Sequence, residues 1–239
     1  MPSGSPPARR RRHRPSQAGA HGTHHARSHT DRAGREPTIP FSYRRHDAED
    51  RDHSRQHPHG RAGERVEQWV LGQAGKRGDA DYDLIDLAAV DLPQIDEPFP
   101  PAMGRYTHPH TRQWATTVAV YDGYVLATPE YNHSFPGVLK NALDHVYAEW
   151  NNKAVSLVPY GFDGGVRAVE ALRPVQGALR LADVSATVTL NLRTDFAGSG
   201  ATFTPGDHQG PTLAAMLDQL LSWSNALAQT HNSAASAAS

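Results

Sequence analysis

Residues 124–144 read YVLATPEYNHSFPGVLKNALD, and this stretch decides the fold. Its first five residues are apolar almost throughout, as in a strand of a parallel sheet covered on both faces. A polar and aromatic loop follows, and a helix is predicted from Pro136 to Trp150. Ser134 is the expected N-cap, since a hydroxyl can accept a first-turn N–H and Pro136 is tolerated in that turn. The order of strand, loop and helix favours an α/β fold.

Strand and helix patterns alternate along the rest of the chain. Further strands are predicted at 82–87, 154–159 and 185–192, and further helices at 62–75, 111–119, 165–181 and 211–228. This alternation predicts an open, doubly wound parallel sheet with helices on both faces. Ligands of such sheets bind beyond the carboxyl ends of the strands. The loops after Thr128 and Pro159 therefore form the candidate site.

The second of these loops reads PYGFDGG at residues 159–165. Its three glycines allow a backbone to approach a ligand closely, although glycine loops also make ordinary turns. In the first loop, a helix N-terminus offers unpaired N–H groups and Tyr131 offers an aromatic face. Together the two loops suit a flat, electron-rich heterocycle.

The run from Thr128 to Asp144 resembles the signature of the NADPH-dependent FMN reductase family, flavodoxin-like proteins that include quinone and azo-dye reductases. Residues 160–168, YGFDGGVRA, are similar to the second flavin loop of that family. The resemblance implies FMN and NADPH or NADH as cofactors. It also implies a small-molecule electron acceptor (a quinone, an azo compound or a flavin), a homodimer or homotetramer, and no catalytic acid or base.

The resemblance further implies that the two loops supply the flavin contacts. These residues are Pro129, Glu130, Tyr131, Asn132, Ser134, Tyr160, Gly161, Gly164 and Gly165.

Other interpretations of these residues remain open. Glu130 could instead cap a helix N-terminus, and Tyr131 and Tyr160 could be ordinary packing aromatics. His108 and His110 lie two residues apart, but no carboxylate or third ligand is spaced to join them, so no metal site is predicted.

The sequence departs from the family where the phosphate loop should follow the first strand. Gly60 and Arg61 stand at the right place, and the resemblance assigns Arg61 to the FMN phosphate. Residues 46–59 read HDAEDRDHSRQHPH, which is too polar for a buried central strand. The expected fold therefore has its first strand missing or altered.

Codon degeneracy suggests an origin for this departure. The codons of residues 46–60, read one nucleotide later, permit the sequence TTLKIAIIVGSTRT, which leads directly into Gly60-Arg61-Ala62. That text contains an apolar strand and a phosphate loop. We hypothesise that residues 1–59 are a frameshifted or wrongly started translation, which sequencing of the DNA around these codons would test.

Composition sets the remaining expectations. Residues 1–59 are rich in Arg and His and are predicted to be a disordered tail, residues 60–231 the domain, and residues 232–239 a frayed end. A net charge of -1 gives no case for nucleic acid, although the basic tail could contact phosphates. The absence of cysteine and of any bilayer-length apolar run fits a cytoplasmic protein without a membrane.

Two rival functions remain open. The chain could be a flavin-binding electron carrier without NAD(P)H turnover, or a degenerate copy that binds no flavin because its N-terminal segment is altered. Oxidation of NAD(P)H separates the first from a reductase, and retained flavin colour separates the second from both.

Overall fold

A computed structural model describes residues 39–44, 62–198 and 202–237, with side chains at 62–198 and 202–229. The strands are β1 (Ile39–Arg44), β2 (Asp81–Leu84), β3 (Gly123–Pro129), β4 (Ala154–Gly161), β5 (Ala182–Thr187), β6 (Leu190–Asn191), β7 (Phe196–Ala197) and β8 (Thr202–Phe203). The helices are α1 (Ala62–Ala74), α2 (Leu87–Val90), α3 (Pro109–Ala119), α4 (Gly137–Asp144), α5 (Val166–Ala178) and α6 (Gln209–Ala237).

The main sheet has the strand order β2-β1-β3-β4-β5, and β6 pairs with the end of β4. β3 and β4 pair in parallel along their length, from Gly123 opposite Ala154 to Pro129 opposite Tyr160. β5 is also parallel to β4. β7 and β8 form a separate antiparallel pair. The doubly wound α/β architecture predicted from the sequence is thus confirmed.

Side chains along β3 alternate between the two faces of the sheet, so the strand contributes to a hydrophobic core on each face. Val125 and Ala127 join a buried cluster that includes residues of α1 and α6. Tyr124 and Leu126 join the opposite cluster, where Trp114 of α3 is also buried. All seven residues of β3 are buried, because helices cover both faces as the apolar sequence predicted.

β1 corrects the prediction that residues 1–59 are disordered throughout. Six of these residues form a strand between β2 and β3, antiparallel to both. Its sequence alternates apolar Ile39, Phe41 and Tyr43 with other residues, a strand pattern that the polar composition of the surrounding segment obscures. The strand also pairs backbone groups that β2 and β3 would otherwise expose. The first strand is therefore altered in sequence and direction, and the rest of segment 1–59 lies outside the described residues.

Several element boundaries differ from those predicted. The helix predicted over 136–150 ends at Asp144, and a separate 3₁₀ turn spans Ala148–Trp150. The predicted strand 82–87 ends at Leu84, because the Asp86 side chain accepts the Ala88 N–H at 2.8 Å and caps α2.

Two further segments also differ at their ends. The predicted strand 185–192 is divided between β5 and β6. α6 continues to Ala237, and the fraying expected from Asn232 onward stays a prediction. Within the part of the chain that the structure describes, no helix is long and apolar enough to cross a bilayer.

Candidate functional site

The two candidate loops meet at the carboxyl edge of the parallel strands. Thr128 lies opposite Pro159 and Pro129 opposite Tyr160 in the β3–β4 register. Just beyond the strand, the Glu130 N–H donates to the Tyr160 carbonyl at 2.8 Å. The convergence expected from the parallel order is therefore present, and the two loops share one edge.

The first loop begins with a tight turn from Tyr131 to Ser134. These two residues exchange backbone hydrogen bonds of 2.8 and 3.0 Å. Asn132 and His133 between them have φ values of 51° and 65°. Two successive positive φ angles are typical of a type I′ turn, in which asparagine is favoured. The turn projects both central residues, which are exposed, from the sheet edge.

Ser134 does not cap the following helix, which corrects the sequence prediction. Its backbone closes the turn, and the N-cap of α4 is Pro136, which has no side-chain oxygen to accept an N–H. Since the first N–H groups of a helix lack intrahelical acceptors, the start of α4 keeps donors and a partial positive charge for another acceptor.

Glu130 joins the first loop to the start of α5. Its Oε2 accepts the Arg167 backbone N–H at 2.9 Å, and its Oε1 pairs with the Arg167 guanidinium at 2.9 Å. The Glu130 side chain is only 9% exposed. Hydrogen bonds from Arg167 to Glu130 and then to Asp163 raise the pKa of the guanidinium. The structure thus supports the capping interpretation of the Glu130 carboxylate, and Arg167 is a partner that the sequence did not reveal.

The glycines of the second loop are required by the fold itself. Gly164 and Gly165 have φ values of 79° and 72°, in the left-handed region. A Cβ on Gly165 would stand 2.7 Å from the Pro159 Cβ, and one on Gly161 would stand 3.1 Å from the Glu130 Cβ. Their close approach is to the neighbouring strand end and loop, which lets the two loops pack together.

The predicted aromatic contacts separate into one buried and one exposed residue. Tyr160 is 2% exposed and packs in the core on the α1 and α6 side, as its alternative interpretation held. Tyr131 is 44% exposed at the sheet edge. Phe162, to which the sequence assigns no role, is 66% exposed, and the Arg193 guanidinium lies 5.7 Å from its ring centroid. Pro129 is buried as the last residue of β3.

The direction of β1 bears on the expected phosphate loop. Its last residues, Tyr43 and Arg44, pair with Gly123 and Asp81, at the edge where β3 and β2 begin. β1 therefore ends at the edge of the sheet opposite the candidate site. Gly60 and Arg61 lie outside the described residues.

The chain belongs to the NADPH-dependent FMN reductase family, whose pattern it matches over residues 56–195, more than half of its length. Membership implies FMN and a nicotinamide nucleotide as the family cofactors.

Particular relatives agree with this assignment. The chain is 41% identical over 133 residues to an NAD(P)H-dependent FMN reductase of Schizosaccharomyces pombe, covering 54% of this chain and 66% of that protein. It is 32% identical over 114 residues to an FMN-dependent NADPH-azoreductase of Staphylococcus haemolyticus, covering 47% and 59%. It thus spans less than two thirds of each relative. The fold is similar to that of the flavoenzyme NAD(P)H:acceptor oxidoreductase FerB of Paracoccus denitrificans, with a TM-score of 0.51, 18% identity, and coverage of 68% of this chain and 89% of that one.

Proposed function

We propose that this chain is an FMN-dependent NAD(P)H oxidoreductase that passes electrons from a nicotinamide cofactor to a quinone, an azo compound or a flavin. The observation that carries the proposal is the meeting of the Tyr131–Ser134 turn, the uncapped start of α4 and the glycine loop at one edge of the parallel sheet. The relatives' names support both the cofactor and the class of acceptor.

The residues at this edge fit the ring system of FMN. The first N–H groups of α4 would donate to its carbonyl oxygens, because no side chain caps them. The exposed ring of Tyr131 would pack against a flat face, and Asn132 beside it would contribute a polar contact. Bound FMN would supply the hydride acceptance and electron release, so these residues bind and orient without having to transfer a proton.

The buried residues of the predicted set would act by shaping this surface. Glu130 would hold the first loop against α5, and Ser134 would close the turn that presents Tyr131. Gly161, Gly164 and Gly165 would allow the second loop to lie beside the first. Pro129 and Tyr160 would anchor the strand ends from which both loops start.

The part of the chain expected to bind the FMN phosphate fits the cofactor less well than the part expected to bind its ring. The family places its phosphate loop after a parallel first strand, whereas β1 is antiparallel and ends at the opposite edge. Arg61 would remain the candidate phosphate ligand. We therefore expect the ring to contribute more of the binding free energy than the phosphate does.

Exposed apolar side chains around the site support a homodimer or homotetramer. Tyr131, Val138, Phe162 and Val166 are each at least 37% exposed on the two loops and the helices that follow them. Apolar groups concentrated on one surface favour association. Light scattering on a sizing column would measure the oligomeric state.

The absence of cysteine suits a cytoplasmic location.

The test combines flavin retention with turnover. The full chain is incubated with FMN, freed of unbound flavin and supplied with NADPH or NADH, together with a benzoquinone or an azo dye. We expect a retained flavin spectrum and acceptor-dependent oxidation of the nicotinamide. Flavin without oxidation would identify an electron carrier, and no flavin would identify a non-binding copy.

A pair of variants locates the site. Tyr131→Ala should weaken FMN binding by roughly fivefold to tenfold, since an aromatic contact contributes on the order of 1 kcal/mol. Trp223→Ala is the control, because Trp223 is 46% exposed, close to the 44% of Tyr131, but lies on α6. Equal effects of the two substitutions on FMN affinity would contradict the placement.

A further inference from the structure

A second cluster of polar side chains lies around the opposite end of α4 from the flavin loops. Asp96, His110 and His145 each offer one ligand atom, and these atoms all lie within 4.8 Å of one another. Asp96 belongs to the loop between α2 and α3, His110 to the first turn of α3, and His145 is the C-cap of α4. Eight helical residues, spanning about 12 Å, separate His145 from the start of α4.

His145 has a buried ring nitrogen that could bind a metal ion. The residue is 0% exposed, and its Nδ1 lies 2.7 Å from the Asn141 backbone carbonyl. Because a carbonyl only accepts, Nδ1 carries a proton, and in the neutral ring Nε2 then presents a lone pair. Within the described part of the chain, Nε2 is buried and has no hydrogen-bond partner. A buried polar atom without a partner is costly, so it indicates a missing contact.

A hydrogen bond from one ring nitrogen to a backbone carbonyl, with the other nitrogen unpartnered, is typical of a metal-binding histidine. Such a residue donates its other ring N–H to a carbonyl or carboxylate, which fixes the tautomer and the ring orientation. The ring of His110 stands 6.1 Å from that of His145, at 71° to it. Two imidazoles thus lie close together in this cluster.

Asp96 completes the donor set. Its Oδ1 accepts a hydrogen bond from His110 Nε2 at 3.0 Å, a contact that a bound ion would replace as Nε2 gives up its proton, and both side chains are partly exposed, at 44% and 31%. Tetrahedral zinc places neighbouring ligand atoms about 3.3 Å apart. The Asp96–His110 spacing is close to this value, and the other separations, which are at most 4.8 Å, would have to contract by no more than roughly 1.5 Å. Their exposure gives an ion a route from solvent.

The loop that carries Asp96 is fixed on both sides. Glu97 accepts the backbone N–H groups of Thr107 and His108 at 2.8 and 2.9 Å, which ties the loop to the start of α3. The Asn141 side chain donates to the Pro93 carbonyl at 2.7 Å and accepts the Ile95 N–H at 3.1 Å, which ties the loop to α4. Asp96 lies between these two attachments. The loop therefore loses less conformational entropy when Asp96 binds an ion than a free loop would.

We propose that Asp96, His110 and His145 form a binding site for a divalent transition-metal ion of the zinc class. Two imidazole nitrogens and one carboxylate oxygen suit zinc and its neighbours, whereas calcium and magnesium prefer sets made of oxygen. A water molecule would occupy the fourth position. The ion would join the loop, α3 and α4 at a distance from the flavin loops, so this inference does not rest on the proposed function.

The sequence does not predict this metal site, because it places His108 and His110 two residues apart with no third ligand nearby. In the structure the His108 Nε2 instead lies 3.2 Å from the Asp96 backbone carbonyl, and its ring stacks on that of His110. The carboxylate and the third nitrogen come from distant positions in the chain.

The test measures metal binding by the full chain and three variants. Metal-free protein is titrated with Co²⁺, followed by its visible absorption, and with Zn²⁺ against a competing chelator. Asp96→Asn and His110→Gln remove ligands that are partly exposed, so the fold is expected to survive. His208→Gln removes an exposed histidine outside the cluster and serves as the control. All four proteins retain the nine histidines of residues 1–59.

We expect the wild-type protein and His208→Gln to bind one more tight equivalent than the two ligand variants, whose affinity at this site falls about tenfold or more. Zn²⁺ should also raise the Tm of the wild-type protein and of His208→Gln, but not that of Asp96→Asn or His110→Gln. Mg²⁺ should leave the Tm of all four proteins unchanged. Far-UV circular dichroism and the metal-free Tm check that the variants fold. Equal tight binding by all four proteins would assign the metal to groups outside the cluster, such as the N-terminal histidines, and overturn the proposal, as would the absence of tight binding from all of them.

Discussion

The Glu130 carboxylate receives both the backbone N–H and the guanidinium of Arg167, each at 2.9 Å. This one side chain connects the loop after β3 to the first turn of α5. Since Glu130 N–H also donates to the Tyr160 carbonyl, the two loops of the candidate site are held as one unit. The position of each loop therefore depends on the other.

Replacing Glu130 should destabilise the fold. We expect Glu130→Ala to lower the free energy of unfolding by about 1–3 kcal/mol, because a nearly buried cap is lost and the start of α5 is left without an acceptor. Asp163→Ala is the matched control: Asp163 pairs with the same guanidinium at 3.1 Å but is 52% exposed. Its loss should change the free energy by less than about 1 kcal/mol. Urea denaturation measures both, and equal losses would contradict this role of Glu130.

Replacing Gly165 should cost more than a typical glycine substitution. Gly165→Ala places a Cβ 2.7 Å from the Pro159 Cβ and 2.8 Å from the Tyr160 nitrogen, at a φ of 72°. We expect a loss of roughly 1–3 kcal/mol in the free energy of unfolding. Gly72→Ala in α1 meets nothing within 4 Å and should stabilise the protein by about 0.5–1 kcal/mol. Thermal unfolding of the two variants tests whether Gly165→Ala lowers the free energy of unfolding and Gly72→Ala raises it.

Lys153 should make stability rise with pH in mildly alkaline solution. Burial lowers the pKa of its ammonium to about 8, although Asp122 and Glu149 act against this effect. Between the folded value and the ordinary value of 10.5, the unfolded chain binds more protons, so raising the pH favours the folded state. The contribution cannot exceed about 1.4 kcal/mol per pH unit.

The measurement compares the free energy of unfolding at about pH 8 and about pH 9.5 in wild type and Lys153→Met. The wild-type increase should be reduced in this variant and preserved in Lys140→Met, whose lysine is 45% exposed and paired with Asp144. Tyr124, which lies beside Lys153, stays protonated over this range, since burial raises the pKa of its hydroxyl well above the ordinary value. An identical increase in all three proteins would exclude Lys153 as its source.

Restoring a phosphate loop should strengthen FMN binding selectively. We expect replacement of residues 46–59 by the shifted-frame sequence TTLKIAIIVGSTRT to raise FMN affinity about tenfold or more, through charge-assisted hydrogen bonds to the phosphate. Riboflavin, which has the ring but no phosphate, should gain much less. Quenching of flavin fluorescence measures both ligands. A parallel gain for riboflavin would mean that the replacement repairs the fold rather than the phosphate site.

The fold was predictable because its decisive signals are local. The apolar run of β3 and the alternation of strand and helix specify a parallel sheet covered on both faces. Boundaries were less predictable, since caps such as Asp86 compete with the hydrophobic pattern over one or two residues. β1 was missed because six alternating residues stand in a segment whose composition predicts disorder.

By itself the sequence determined the class of fold, the family, and the two loops that form the candidate site, since these depend on short-range patterns and on a contiguous motif. The tertiary structure alone decided what the side chains do. It placed Tyr160 in the core, turned the Glu130 carboxylate toward Arg167 and reversed the direction of β1. It also brought Asp96 and His145 to His110. Contacts between residues far apart in the chain depend on how whole elements pack, which no local pattern records.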